Sequence, residues 1–224
     1  MNLEPEVFVR ESSYVVQKYI KYPALWNDYK FDFRIYVLVT TVIDPVTIFL
    51  FNDGLVRLAT EKYTNSGKAD AYVHLTNYSL NKKNENFSED IHKLKLSNVL
   101  KGTLTQKPYK PGKKTAIRSS EDIWADIESI VVKTVLTVQP QLQHIYRSCQ
   151  QKEPDCCCEL LGFDIMLDAK LKPWLIEVNH TPSFQCDTQI DTEVKEKLLT
   201  DTFDLLSLSV EQRRKAEFEM RQER

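Results

Sequence analysis

Leu160-Leu161-Gly162-Phe163-Asp164-Ile165-Met166-Leu167, then Asp168-Ala169-Lys170-Leu171-Lys172-Pro173, then Trp174-Leu175-Ile176-Glu177-Val178-Asn179 reads as two β-strands joined by a polar turn. Glu177 and Asn179 stand two apart, so both side chains project from one face of their strand. Asp164, on the partner strand, reaches the same side if the register allows. Two carboxylates and an amide oxygen are hard ligands of the kind that hold Mg²⁺ together with substrate phosphates. Phe163, Ile165, Trp174, Ile176 and Val178 are expected to bury the other faces. Taken alone, Glu-x-Asn is a weak motif, and a plain surface hairpin is the default reading.

A second pattern gives the hairpin a partner. Lys30-Phe31-Asp32-Phe33-Arg34-Ile35-Tyr36-Val37-Leu38-Val39 alternates with the period of a strand. Phe31, Phe33, Ile35, Val37 and Val39 fall on one side, and Lys30, Asp32, Arg34 and Tyr36 on the other. The expectation is a half-buried strand with three charges in line on its open face. Lysine and arginine there can hold phosphate oxygens and spread the charge of a phosphoryl group in transfer. Asp32 can orient the lysine or a nucleotide hydroxyl. A salt-bridged solvent face explains the row equally well. His74-Leu75-Thr76-Asn77-Tyr78-Ser79 offers hydroxyls and an amide to phosphate or a small substrate, and by itself reads as a polar strand end.

Around these segments the pattern predicts a short β-rich run at 15–20, ended by Pro23, and a polar turn at Asn27-Asp28. Thr47–Phe51 and Leu55–Thr60 read as a hairpin across Asn52-Asp53-Gly54, because these residues tolerate positive φ. Arg57 points away from Val56 and Leu58. Residues 81–120 are rich in Lys, Asn and Ser and read as a polar, mobile insertion. Ser119-Ser120-Glu121-Asp122 reads as a helix start. The helix that follows carries Ile123, Ile127, Ile130, Val131, Thr134 and Val138 and should stop at Pro140. Residues 192–209 read as an amphipathic helix, and 210–224 as a charged, solvated helical tail.

Composition excludes some classes. Thirty basic against 32 acidic residues leave a charge of −2, so no global basic bias points to nucleic acid. The longest apolar runs are strand-sized and the first ten residues lack a signal core, so no membrane association is expected. Five cysteines, three of them adjacent, suit neither a disulfide framework nor a zinc site. Reduced thiols in a soluble cytoplasmic protein are the expectation.

Taken in order, Gln17-Lys18-Tyr19-Ile20, Lys30 through Val37, Gly54-Leu55-Val56-Arg57, His74 through Ser79, Leu161-Gly162-Phe163-Asp164 and Trp174 through His180 resemble the tubulin–tyrosine-ligase-like family, over about residues 15–209. The resemblance implies an α+β ATP-grasp fold, here its C-terminal portion, a mostly antiparallel sheet with packed helices. It implies a ligase that uses ATP and Mg²⁺ to add an amino acid to protein carboxylates. Gln17, Lys18, Tyr19 and Ile20 would form the adenine hinge. Lys30, Phe31, Asp32, Thr76 and Asn77 would contact ATP, with Lys30 and Arg34 catalytic. Asp164, Glu177 and Asn179 would hold the metal. Arg57, Ser79, Lys95 and His180 would receive the incoming amino acid.

Tubulin and microtubules, through their acidic C-terminal tails, and free glutamate are the implied partners. Glutamate is favoured because the surroundings of Arg57 and of His74–Ser79 look more like family glutamylases than glycylases. The implied location is cytoplasm and cytoskeleton, with cilium or basal body. Arg213, Arg214 and Lys215 could meet the acidic tubulin surface, although Glu211, Glu217, Glu219 and Glu223 dilute that attraction. One departure stands out. Family members carry an N-terminal domain and more of the nucleotide lobe before the hinge, whereas few residues precede Gln17 here. The expectation is a C-terminal portion with weak or no ligase activity alone. The competing class is a non-catalytic, microtubule-binding pseudoenzyme fragment. A metal-dependent hydrolase built on Asp164 and Glu177 ranks last, because it leaves the Lys30–Arg34 row unexplained.

Overall fold

The computed structural model describes residues 16–65, 70–106, 114–149 and 157–206. A short strand β1 (Leu25–Trp26) turns back at Asn27-Asp28 onto β2 (Tyr29–Thr41). Both turn residues have positive φ, 50° and 70°, which Asn and Asp accept because their side chains bond locally to the backbone. Next comes β3 (Thr47–Lys62), followed by single-turn helices α1 (Ala71–His74), α2 (Tyr78–Asn81) and α3 (Glu89–His92). Then follow β4 (Lys93–Lys95), α4 (Leu96–Val99), β5 (Thr103–Gln106) and β6 (Ala116–Ser119). The long helix α5 (Ser120–Cys149), the strands β7 (Glu159–Leu167) and β8 (Pro173–Asn179), and α6 (Gln189–Leu205) complete the order.

The main sheet runs β4-β3-β2-β7-β8, with β1 on β2, and every pairing is antiparallel. This is the α+β class expected. Alternation along β2 sorts its side chains as read. Phe31, Phe33, Ile35, Val37 and Val39 are buried with Val56, Leu58, Phe163 and Ile165 against Ile123, Ile127, Val131 and Val135 of α5. That layer supplies most of the hydrophobic stabilisation, since each such side chain contributes about 1.5–3 kcal/mol when fully buried. The opposite face is not open. Val194 and Leu198 of α6 cover Tyr36, Phe51 and Leu55, and Lys30 and Asp32 are 8% and 6% exposed. These two charges are therefore buried and must be paired.

Several expectations are corrected. Asn52-Asp53-Gly54 makes no hairpin, because β3 runs unbroken through it for 16 residues. The register against β2 jumps from Ile35↔Gly54 to Val37↔Leu50, an irregularity that absorbs the extra residues. Gly54 is needed for close approach, since a Cβ there would lie 2.4 Å from the Arg34 carbonyl oxygen. Within the stretch 81–120, the described residues 81–106 and 114–120 are built rather than loose, and they contribute α3, β4, α4, β5 and β6. Helix α5 passes through Pro140; proline removes one i→i−4 bond, and the helix continues beyond it. Residues 16–20 form no strand, and Val16 and Tyr19 are exposed. Trp174, Ile176 and Val178 are about two-fifths exposed because β8 is the edge of the sheet.

The helix start at Ser119 is as read, with its Oγ accepting the Asp122 N–H at 3.0 Å. Helix α6 begins three residues earlier than read, where Thr188 caps it by accepting from Asp191 N–H. Cys158 and Cys186 are exposed free thiols. The tail at 210–224, with its basic residues, lies outside the described residues. Among the described residues, no helix is long and apolar enough to cross a membrane.

Candidate nucleotide and amino-acid site

The register of the sheet lines charged residues up across its strands. Arg57 of β3 sits opposite Lys93 of β4 and opposite Asp32 of β2. One step along β2, Arg34 sits opposite Asp164 of β7, which in turn faces Glu177 of β8. Partners directly opposite in an antiparallel pair project to the same side. The sequence thus lays a ladder of charges, Lys93, Arg57, Asp32, Arg34, Asp164 and Glu177, over one face of the sheet. Asp164 and Glu177 are thus cross-strand partners on the face that carries Asp32 and Arg34.

At the centre two guanidinium groups meet two carboxylates. Arg34 Nε donates to Asp164 Oδ1 at 2.6 Å and its Nη2 to Oδ2 at 3.1 Å. Arg57 Nε donates to Asp32 Oδ1 at 2.9 Å, and its Nη2 bridges Asp32 Oδ2 and Asp164 Oδ2, the latter at 2.8 Å. Burial raises the Asp164 pKa, but the bonds and charges of Arg34 and Arg57 outweigh it and hold the carboxyl below its ordinary value. Burial likewise opposes the charge on Arg57, and Asp32 and then Asp164 outweigh it, so its pKa lies above the usual arginine value. Gly162 leaves space here, since a Cβ on it would come within 3.2 Å of Arg34 Cδ.

Lys30 lies on the same face near the β1–β2 turn. Its Nζ donates to the His74 carbonyl at 2.6 Å and to Tyr19 Oη at 3.4 Å, and sits 5.0 Å from the centre of the Tyr19 ring. Tyr19 Oη and His74 Nδ1 are 2.9 Å apart, and the Tyr19 and Tyr63 rings meet the His74 ring edge-on. Burial lowers the Lys30 pKa, and Asp32 only partly restores it. Gln17 and Lys18 are exposed beside this cluster and Ile20 is half-buried. Phe31, expected at the nucleotide, turns its side chain the other way, 5.4 Å from the Phe33 ring in the apolar core. Only its backbone remains on the site's side, as the two-residue period of a strand requires.

Thr76 is buried, Asn77 is exposed at the N-cap of α2, and Ser79 is exposed on α2. Their loop is fixed by Asn81, a residue the sequence reading missed. Its carbonyl accepts from Thr60 N–H and Oγ1 at 2.8 and 2.6 Å. Its amide donates to the Leu75 and Asn77 carbonyls at 2.9 and 3.0 Å. A short amide at a helix end was the available signal. Lys95 is diverted from the ladder, lying 3.6 Å from Asp53 and 3.8 Å from Glu193. His180 is exposed just beyond β8.

The proposed metal donors fit Mg²⁺ in kind. Glu177 is exposed, and Asn179 Nδ2 lies 3.4 Å from Glu177 Oε1, so the two side chains converge beside Asp164. Both Asp164 oxygens are held by arginines. Among the described residues, no three His, Cys, Asp or Glu side chains gather as a metal cluster. The set is therefore two carboxylates and one amide, which leaves coordination positions for phosphate oxygens.

Comparison with known proteins gives this geometry a setting. Tubulin polyglutamylase TTLL6 of Homo sapiens is 44% identical over 216 residues, covering 93% of this chain and 23% of the relative. Tubulin polyglutamylase TTLL7 of Homo sapiens is 43% identical over 211 residues, covering 90% and 23%. A probable beta-tubulin polyglutamylase of Tetrahymena thermophila is 41% identical over 206 residues, covering 87% and 16%. The chain thus spans less than a quarter of the length of these relatives. The model of the Tubulin-tyrosine ligase family matches residues 5–216, nearly the whole sequence, and the chain belongs to that family.

Proposed function

We propose that this chain supplies the ATP-, Mg²⁺- and amino-acid-binding sheet of a ligase that adds glutamate to carboxylates on tubulin, acting at the cytoskeleton and at the cilium or basal body. The observation that carries the reading is the charge ladder, which places half-buried arginines and the buried Lys93 on the same sheet face as an exposed carboxylate. The names of the relatives support tubulin as the acceptor and glutamate as the donor.

In this mechanism the hinge from Gln17 to Ile20 receives adenine, and Lys30, with Thr76 and Asn77, holds the ribose and phosphates. Asp164, Glu177 and Asn179 would hold Mg²⁺, which neutralises phosphate charge when bound. The acceptor carboxylate attacks the γ-phosphorus, ADP leaves, and an acylphosphate forms; Arg34 offsets the negative charge spread over the transferring oxygens. The amino group of glutamate then attacks the acyl carbon, phosphate leaves with the bonding pair, and the amine loses a proton as the amide forms. Arg57 binds the incoming carboxylate bidentately, exchanging part of its hold on Asp32 and Asp164.

The double hold of arginine on Asp164 also favours a second reading, a closed sheet that keeps the scaffold without binding nucleotide. Thermal unfolding of the purified chain with and without Mg·ATP separates the two. Binding at a hundredfold excess over Kd stabilises by about 2.7 kcal/mol, which is a rise of roughly 5–10 °C for a domain of this size. Glu177→Gln should cancel most of it. A melting curve that Mg·ATP leaves in place would overturn the ligase reading in favour of the binding module.

A further inference from the structure

A second set of buried charges lies beside the ladder. Asp191, in the first turn of α6, is 1% exposed and takes Lys93 and Lys195 together. Lys93 Nζ bonds Oδ2, and Lys195 Nζ forms an ion pair with Oδ1 at 2.8 Å. Thr188 Oγ1 adds a 3.0 Å contact to Oδ2. Burial raises the carboxyl's pKa, and the two lysines outweigh it and keep Asp191 ionised. Lys93 and Lys195 are 5% and 6% exposed, so three charges have been taken out of water where an apolar contact would serve α6 equally well.

What each lysine touches suggests why. Lys93 is the register partner of Arg57, and its Nζ lies 4.3 Å from the centre of the Tyr78 ring, one residue before Ser79. Lys195 also donates to the carbonyl of Gln185, in the segment that leads from His180 into α6. Lys93 is thus the strand partner of Arg57 and meets the ring of the residue before Ser79, while Lys195 holds the segment that follows His180.

We propose that Asp191, acting through Lys93 and Lys195, is a positioning residue for the amino-acid pocket. It sets the spacing of Arg57, Ser79 and His180 around the carboxylates of the incoming glutamate, without touching that substrate. The inference rests on the ligase reading above and concerns the amino-acid half of the site, not the nucleotide half. Residues held only by loop contacts drift, and small misplacements of binding groups weaken recognition sharply.

The test is calorimetric titration of L-glutamate into the full chain saturated with Mg²⁺ and a non-hydrolysable ATP analogue, alongside titration of the nucleotide itself. For Asp191→Asn, glutamate affinity should fall tenfold or more while nucleotide affinity changes less than threefold. Lys93→Met should repeat that split and Lys93→Arg should restore glutamate binding to within threefold. A merely structural tie would move both affinities together or neither. Lys93→Met leaves the Asp191–Lys195 pair in place, so it serves as the arbiter if Asp191→Asn does not fold. Glutamate affinity unchanged in Lys93→Met would overturn the positioning role. A wild-type chain that binds nucleotide but not glutamate would overturn it alone, and one that binds neither would remove the ligase reading with it.

Discussion

Lys30 concentrates the tension between stability and binding. The residue is 8% exposed, and its ammonium rests on a carbonyl and a phenol. Burial depresses its pKa below the ordinary value of 10.5, with Asp32 only partly offsetting that. A lysine whose folded pKa is depressed costs stability while it stays charged, and the cost fades as pH rises from its folded toward its unfolded pKa. Lys30→Met should therefore leave the melting temperature of the ligand-free chain unchanged or raised, while abolishing the rise caused by Mg·ATP. Thermal melts with and without nucleotide check both halves, and a ligand-free melt lowered by more than about 5 °C would contradict the first. Alternation alone exposed this residue, together with Asp32 and Arg34, because a strand fixes which side chains share a face. It equally argued against Phe31, which the resemblance placed at the nucleotide and which lies in the core. Lys93 was not legible, because its counter-ion Asp191 is 98 residues away in the chain and neither neighbourhood has a pattern that points to the other.

At the scale of elements, β3 shows how a turn signal can be overruled. Asn52-Asp53-Gly54 has hairpin chemistry, yet Asp53 Oδ1 accepts from its neighbour Gly54 N–H and from Ser97 N–H, both at 2.9 Å, and so fastens the irregular strand to α4. Gly54 is chosen for the missing side chain, not for a positive φ. Gly54→Ala would press a methyl against the backbone oxygen of Arg34 from 2.4 Å, which a rigid central strand cannot yield cheaply. Overpacking of this kind costs about 1–3 kcal/mol, a fall of roughly 3–10 °C in melting temperature. Because the displaced atom belongs to Arg34, the Mg·ATP response should shrink as well. Paired melts of the variant test this, and an unshifted curve would show that β2 and β3 can part. The strands β2, β7 and β8 and the start of α5 were readable from period and capping. The extent of α5 beyond Pro140 was not, nor were the short elements between 81 and 120, since single-turn helices and three-residue strands carry too few residues to show a period.

For the molecule as a whole, the face under α6 is held by carboxylates that must stay ionised. Asp164 fastens β7 to β2 and β3 through Arg34 and Arg57, and Asp191 fastens α6 to β4 through Lys93. Burial pushes both carboxyls up, their cationic partners outweigh it, and both end below the ordinary value of 3.8. A group with a depressed folded pKa contributes stability that is complete above its unfolded pKa and is lost as pH falls through the folded one. From these two groups the chain should therefore keep constant stability from pH 7 down to about 5. Below pH 4 it should unfold progressively, as protonation leaves two arginines and two lysines with weakened partners. Urea midpoints measured from pH 7 to pH 2.5 trace this. Asp164→Asn and Asp191→Asn should each be less stable than wild type at pH 7, because each strands a buried cation. They should converge on it at the acid end, where wild type has lost the same charge. Parallel curves, with the neutral-pH deficit persisting undiminished at low pH, would mean that the ionised carboxylates are not what binds α6 and β7 to the sheet.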